Sequence, residues 1–230
     1  KFSVLRIIPL FYNMNTNEII ENTIVFVKEK LKNAEGGHDW FHIERVYKNA
    51  LLISKSEKVD TFIIALAALL HDIADSKFHN GDETIGPVIA TEFLTDQGVE
   101  IKKLKHIVNI IKNISFKGGN FKTTFHSNEL SVVQDADRLD AIGAIGIARC
   151  FNYGGFKERK LYDPSVLPNL EMTKEEYKNS NAPSINHFYE KLLLLKEKMN
   201  TETGKQLAAE RHQFMEQFLT QFYNECRGVV

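Results

Sequence analysis

Residues 62–77 read FIIALAALLHDIADSK, and the apolar part of this stretch predicts the centre of the fold. Its first nine residues carry no charged or polar side chain, which is typical of a buried helix and too short to cross a bilayer. His71 and Asp72 follow directly, so an imidazole and a carboxylate are carried into the interior. Unpaired polar groups there cost several kcal/mol. These two side chains therefore need partners, either hydrogen-bonding neighbours or a metal ion.

The rest of the chain is also predicted to be helical. Helix-like patterns, with apolar residues every three or four positions, cover residues 16–31, 39–56, 60–73, 86–98, 100–114, 129–140, 141–152, 184–199 and 202–226. The longest connection, 154–183, is rich in glycine, proline and asparagine, and loops of that length usually act as functional or mobile covers. Because strand-like alternation is almost absent, we predict a single all-α domain.

Composition indicates an ordinary globular protein and gives no sign of nucleic acid or membrane as a partner. Of its 230 residues, 43% are hydrophobic and 26% are charged, which is enough apolar material for a core. A formal net charge of -1 gives no global field that would attract nucleic acid or an anionic membrane, so neither is expected as a partner. Cys150 and Cys226 lack metal-type spacing and are expected to be free thiols of a cytoplasmic protein.

Residues 1–13 differ from the rest of the chain in composition. They read KFSVLRIIPLFYN, which is apolar and basic like a signal peptide. The apolar core is interrupted by Arg6 and Pro9, however, and no small-residue cleavage site follows. Met14 would make a natural start. We therefore predict that residues 1–13 are a non-native or upstream extension and that the domain spans residues 14–230.

Two other predicted helices could complete a metal site with His71 and Asp72. His42 lies on the inner stripe of the second helix, where a hydrophobic residue is expected. Asp137 lies in the partly buried helical stretch 132–140, which carries three acids. These four residues offer two imidazoles and two carboxylates. Such mixed ligands suit one octahedral Mn²⁺ or Mg²⁺, or else Fe²⁺ or Ni²⁺, with two positions left for water or substrate. Structural zinc would require thiolates and closed coordination.

The order H…HD…D on a helical chain resembles the HD-domain superfamily of metal-dependent phosphohydrolases. The match is close for a small bacterial single-domain branch whose members read much like HDIADSKFH at 71–79 and QDADRLD at 134–140. The resemblance covers roughly residues 16–226 and implies an HD-type helical bundle that binds one divalent metal ion. It places the four metal ligands on His42, His71, Asp72 and Asp137.

Asp135 and Asp137 compete for the last ligand position. Two positions apart on a helix, their side chains point about 200° away from each other, so only one should face the site. Asp137 takes the position that the family implies. Asp135 is expected instead to support a ligand or to bond Arg138.

Asp75 and Lys77 are the predicted catalytic residues. Asp75 lies four residues after His71, so on a continuing helix the two share a face. Related nucleotidases carry a catalytic acid at this place, which implies that Asp75 deprotonates a water aimed at phosphorus. The alternative is that Asp75 forms a helix-end ion pair with Lys77.

Phosphate substrates also need cationic donors near the metal. The candidate substrate-binding residues are Lys117, Arg149, Lys191 and Arg211. Arg211 is the most informative because it shares the apolar stripe of the last helix, where a merely solvated arginine is not expected. For each of these residues the alternative is an ordinary solvated side chain.

Four more histidines are candidates for supporting roles. His38 and His79 lie beside predicted turns and are expected to act as caps or to support a ligand. His106 and His126 could extend the site to two metals, although a core or supporting role suits His106 better because apolar residues flank it.

The predicted activity is metal-dependent hydrolysis of a phosphate ester or anhydride, most simply of a nucleoside triphosphate with release of pyrophosphate. The alternatives are a 5′-nucleotidase of the same fold, a non-catalytic metal- or ligand-sensing module, and a di-iron oxygenase. The complete set of candidate ligands argues against a degenerate sensor. The shortage of histidines for a second metal argues against the oxygenase.

Overall fold

The computed structural model describes residues 15–32, 34, 37–74, 82, 84–114, 125–173, 176 and 180–229. Its α-helices are α1 (Thr16–Lys30), α2 (Trp40–Ser54), α3 (Thr61–Leu70), α4 (Ile85–Asp96), α5 (Ile101–Asn113), α6 (Asn128–Asp140), α7 (Gly143–Phe156), α8 (Asn186–Glu190) and α9 (Glu202–Arg227). A 3₁₀ helix, Leu192–Lys198, lies between the last two. No strand occurs in these ranges, which confirms the predicted all-α class. No described helix has the length and hydropathy to cross a membrane.

Helix α3 is the centre of the bundle. Its residues 63–70 are all buried, and the helix packs against α1, α2, α5 and α6. Each fully buried leucine or isoleucine contributes about 1.5–3 kcal/mol relative to an exposed one. The helix begins after Asp60, whose carboxylate accepts hydrogen bonds from the backbone N–H groups of Phe62 and Ile63. It ends at Leu70, so His71 and Asp72 emerge from the end of the most buried helix.

Two capped helices bring further polar residues to the end of α3. The carboxylate of Asp39 accepts a hydrogen bond from the backbone N–H of His42 at 3.0 Å, as the sequence predicted for the start of α2. Ser127 caps α6 in the same way through Leu130. Helices α2 and α6 pack against each other and against α3. The inner stripe of α2 therefore faces α6 beside the end of α3.

The C-terminal third differs from the sequence prediction in two places. A continuous helix over 184–199 was wrong, because Lys191 has φ -146° and ψ -56°, outside the helical region, and separates α8 from the 3₁₀ helix. Leu192 and Leu195 are buried three positions apart, the spacing that a 3₁₀ helix places on one face.

The connection predicted at 154–183 begins later than expected, because α7 continues to Phe156. A Cβ at Gly154 would lie 2.0 Å from the Ser184 hydroxyl and 3.0 Å from the Ser184 Cβ, so glycine allows α7 to pass close to the segment that precedes α8. Backbone hydrogen bonds from Ser184 to Lys160 and from Ile185 to Leu161 anchor the described start of the connection. Residues 1–13 lie outside the described residues, and the upstream extension stays a prediction.

Candidate metal centre

Imidazoles and carboxylates from α2, α3 and α6 meet at the end of α3. The Nε2 atom of His42 lies 3.9 Å from Asp72 Oδ2 and 3.7 Å from Asp137 Oδ1. The Nε2 atom of His71 lies 3.8 Å from the same Asp137 oxygen. The structure thus brings together all four residues predicted as metal ligands.

The spacing within this cluster is wider than hydrogen bonding and fits a shared cation. Hydrogen bonds between such groups would be about 2.7–3.2 Å long. Ligand atoms about 2.1 Å from one octahedral ion are about 3.0 Å apart when adjacent and about 4.2 Å apart when opposite. The observed separations of 3.7–3.9 Å lie between these two distances. His42, His71 and Asp137 therefore form a group that could hold a metal ion.

His71 has one nitrogen in use and one without a partner. Its Nδ1 atom lies 2.8 Å from the carbonyl oxygen of Ala68, to which it donates. Its Nε2 atom is buried and has no hydrogen-bond partner within the described part of the chain. A buried polar atom left in this way costs about 1–3 kcal/mol. In the neutral imidazole the Nε2 lone pair faces Asp137 and is available to a ligand.

The cluster is open on the side of Asp137. The side chains of His42 and His71 are only 2% and 3% exposed, whereas that of Asp137 is 36% exposed. Solvent therefore contacts the cluster at Asp137, while the two imidazoles lie beneath the surface.

The opposite side of His42 is closed by Asp140, to which sequence reasoning gave no role. His42 Nδ1 lies 2.7 Å from Asp140 Oδ2, and Arg45 and Arg149 also donate to this carboxylate. Burial raises the pKa of Asp140, but hydrogen bonds from His42 and Arg45 outweigh it and hold that pKa well below its ordinary value. Burial also lowers the pKa of His42, outweighing its hydrogen bond with Asp140. The available signal was spacing, because Asp140 lies three residues after Asp137 and shares its face.

His38 supports Asp72. Its Nδ1 atom lies 2.5 Å from Asp72 Oδ2, which is a hydrogen-bonding distance. Burial raises the pKa of Asp72, but the hydrogen bond from His38 and the nearby charge of His71 outweigh it and keep that pKa well below its ordinary value. A supporting role was one of the two expected for His38. Its ligand atom, together with those of His42 and Asp72, forms a second group that could hold an ion.

Asp135 points away from the cluster. Its side chain is fully buried, and its carboxylate accepts hydrogen bonds from the backbone N–H groups of Asn200 and Thr201 and from the Thr201 hydroxyl. Arg138 lies 3.4 Å away, which is the contact that the sequence suggested. Asp135 thus fixes the start of α9, and Asp137 is the acid that lies within the cluster.

Arg149 and Arg211 donate to protein acceptors. Arg149 bonds the Asp140 carboxylate and, through Nη2, the carbonyl oxygen of Gly37 at 2.8 Å. Arg211 donates to the carbonyl oxygen of Leu139 and to Asn49 Oδ1. The apolar stripe that singled out Arg211 is therefore explained by the end of α6, whose carbonyl groups need donors.

Lys191 lies in a different environment, beside His187 and Cys150. Burial, together with the charges of Lys191 and Arg159, lowers the pKa of His187 to about 3. Burial raises the pKa of the free Cys150 thiol to about 12, which disfavours its thiolate form. Asp75, Lys77, His79 and Lys117 lie outside the described residues, and their roles stay predictions.

His106 lies on α5 and contacts the start of α6, whereas the cluster lies near the end of α6. Its Nε2 atom is 3.0 Å from the Ser127 hydroxyl and 3.5 Å from a Glu129 oxygen, and its ring meets the ring of Phe125 edge to face. Neither His106 nor the exposed His126 belongs to a group that could hold a metal among the described side chains.

Comparison with known proteins places this geometry in a family. The family model of the HD domain matches residues 40–142, a range that contains the four clustered residues. The chain is 46% identical to an HD-superfamily hydrolase of known structure from Bacillus thuringiensis, with a TM-score of 0.74. That alignment covers 93% of this chain and 99% of the other.

YpgQ of Bacillus subtilis is a second relative, 37% identical over 212 residues that cover 91% of this chain and 94% of YpgQ. The crystal structure of YpgQ in complex with ADP matches with a TM-score of 0.72 and 34% identity, over 92% of this chain and 97% of that one. In each of these comparisons the similarity extends beyond the residues of the cluster and covers nearly the full length of both proteins. The chain therefore belongs to the HD-domain superfamily.

Proposed function

We propose that this protein is a metal-dependent phosphohydrolase that acts on nucleotides and binds one divalent cation through His42, His71, Asp72 and Asp137. The observation that carries the proposal is the buried Nε2 atom of His71, which has no partner among the described residues and faces Asp137. A cation would satisfy this nitrogen and also fill the gaps of 3.7–3.9 Å between the surrounding ligand atoms.

The donor set fits a divalent ion. His71 uses Nδ1 to bond Ala68, and His42 uses Nδ1 to bond Asp140, so both imidazoles offer Nε2 to the cluster. A metal-binding histidine commonly has its other nitrogen fixed in this way. Two imidazoles and two carboxylates favour Mn²⁺ or Mg²⁺, with Fe²⁺ or Ni²⁺ as alternatives.

The chemistry divides between the cation and the chain. When bound, the cation would supply positive charge at a phosphoryl group and lower the pKa of a water molecule. Asp75 is proposed to accept the proton of the attacking water, and Lys77 and Lys117 to donate to phosphate oxygens. The phosphate is proposed to arrive on the side of Asp137, whose side chain is 36% exposed. Lys191 is retained as a more distant phosphate ligand, whereas Arg149 and Arg211 already donate to protein acceptors.

Nucleotides are the proposed substrates because YpgQ, which is alike over almost its whole length, has been crystallised with ADP. Triphosphates are expected to react faster than monophosphates, since each added phosphate brings charge that separated lysines can neutralise. Pyrophosphate is the expected product. The free cysteines Cys150 and Cys226 support a reducing, cytoplasmic location.

The test is an assay of the Mn²⁺-loaded protein with one nucleoside as its mono-, di- and triphosphate at equal concentration. The proposal predicts the fastest turnover for the triphosphate, with release of pyrophosphate and with Mn²⁺ at least as effective as Mg²⁺. Faster release of orthophosphate from the monophosphate would make the protein a 5′-nucleotidase. One bound metal per chain without turnover of any nucleotide would favour the sensing module, and two metals per chain would favour the oxygenase.

A further inference from the structure

Resting on the proposed metal site, we infer that Asp140, held by Arg45 and Arg149, is a positioning residue that orients His42 toward the cation. The contact is between His42 Nδ1 and Asp140 Oδ2, at 2.7 Å. It joins α2 to the last residue of α6 across a separation of 98 positions in sequence.

The carboxylate of Asp140 is enclosed by donors. Its Oδ1 atom accepts from Arg45 Nε at 2.6 Å, and its Oδ2 atom accepts from Arg45 Nη2 at 3.0 Å and from Arg149 Nη1 at 2.6 Å. Arg149 also donates to the backbone oxygen of Gly37, which lies beside His38. The two guanidinium groups thus fix the carboxylate from α2 and from α7 at the same time.

This arrangement settles which nitrogen of His42 carries the proton. A carboxylate that receives two guanidinium groups is an acceptor only, so Nδ1 must donate to it. The Nη1 atom of Arg149 lies 3.2 Å from Nδ1, but a guanidinium and an imidazole N–H cannot donate to each other. The N–H groups of His42 Nδ1 and Arg149 Nη1 therefore both donate to the same oxygen, Asp140 Oδ2. The lone pair of the ring then remains on Nε2, the atom that faces Asp72 and Asp137.

A contribution to folding stability does not by itself explain why Asp140 is buried with two arginines beside His42. A buried ionic cluster is often no more stable than apolar residues of the same volume, because its charges must be desolvated. The side chain of Asp140 is 2% exposed, so that penalty applies. Orientation of a ligand does account for it, because metal-binding imidazoles depend on the partner of their second nitrogen. His71 obtains the same orientation from its own helix through Ala68.

Asp135 offers a matched control. It is as deeply buried as Asp140 and lies on the same helix, but its carboxylate bonds Asn200 and Thr201 and does not touch His42. Replacing either acid by asparagine removes one buried charge from α6. Only the replacement at Asp140 changes the environment of a proposed ligand.

The experiment compares wild type, Asp140→Asn and Asp135→Asn by calorimetric titration with Mn²⁺ and by ¹⁵N NMR of the metal-free histidines. Asp140→Asn should weaken Mn²⁺ binding by about 10–100-fold and populate the His42 tautomer that carries its proton on Nε2. Asp135→Asn should lower the melting temperature and leave both readouts as in wild type. If Asp140→Asn does not fold, Arg45→Met takes its place. It removes the more exposed of the two arginines that bond Asp140 and should show the same changes more weakly.

Three outcomes separate the inference from the proposal beneath it. Unchanged Mn²⁺ affinity and an unchanged tautomer in Asp140→Asn would overturn the inference and leave the metal site intact. Equal loss of affinity in Asp140→Asn and Asp135→Asn would also overturn it, because the effect would then be one of general stability. A wild type that binds no Mn²⁺ would reject the metal site itself, whatever the tautomer of His42.

Discussion

His42 separates two regions that hold similar side chains in opposite ways. On its Nδ1 side, the Asp140 carboxylate accepts hydrogen bonds from His42, Arg45 and Arg149. On its Nε2 side, the nearest carboxylate oxygens are 3.7 and 3.9 Å away, and His71 keeps a buried nitrogen that no described residue bonds. The closed region is complete without a ligand. The open region has the composition of a polar network, but its separations are longer than hydrogen bonds.

The three aspartates of α6 repeat this contrast within one helix. Asp135 accepts several hydrogen bonds from the start of α9, and Asp140 accepts four from His42 and two arginines. Asp137 instead faces two Nε2 atoms beyond hydrogen-bonding distance and is more exposed. Deep burial with many donors thus identifies structural carboxylates. Partial exposure near unbonded imidazoles identifies the carboxylate that is available to a ligand.

The largest expected effect comes from Asp72→Ala. The change removes one of the two charged ligands of the proposed site, and the three remaining ligands should hold the cation too weakly. Both metal content and activity should therefore be lost. Elemental analysis and a turnover assay check this directly. A variant that keeps its full metal content and normal turnover would refute the proposed ligand set.

The next largest effect is expected from Asp75→Asn. The amide keeps the shape but cannot accept a proton, so kcat should fall by about 10²–10⁴ while the metal content stays as in wild type. The same two assays apply. Loss of metal together with activity would make Asp75 a ligand or a structural support.

Asp135→Asn should affect the folded state alone. It weakens charge-assisted hydrogen bonds to the start of α9, so unfolding free energy should fall by about 1.5–3 kcal/mol with kcat and metal content unchanged. Denaturant titration of the metal-free protein measures the first quantity. A change in metal content in this variant would contradict the assignment of Asp137, and not Asp135, to the metal site.

Arg211→Met should have the smallest effect. The methionine keeps much of the apolar stem but loses the bonds to Leu139 and Asn49, so stability should fall by about 0.5–1.5 kcal/mol with kinetic constants unchanged. Thermal unfolding and a KM determination check the two parts. A raised KM at normal stability would restore the substrate-binding role that the sequence suggested.

Sequence was sufficient for the features that repeat locally. The apolar run before His71 predicts a buried helix, and the spacing of α2 places His42 on its inner stripe, so the cluster could be anticipated. Spacing could place Asp140 on the face of Asp137, but it could not identify the partners of Asp140, which lie at the distant positions 42, 45 and 149. The same limit explains Arg211, whose place on an apolar stripe was visible while the identity of its acceptor was not.

The most direct test of the central claim is the position of Mn²⁺ in a crystal of the metal-loaded protein, located by its anomalous scattering. The account predicts one peak about 2.1 Å from His42 Nε2, His71 Nε2 and oxygens of Asp72 and Asp137. The hydrogen bond that His42 Nδ1 donates to the Asp140 carboxylate should be retained in that structure. Manganese bound elsewhere, or a His71 Nε2 atom bonded to a protein group in place of an ion, would contradict it.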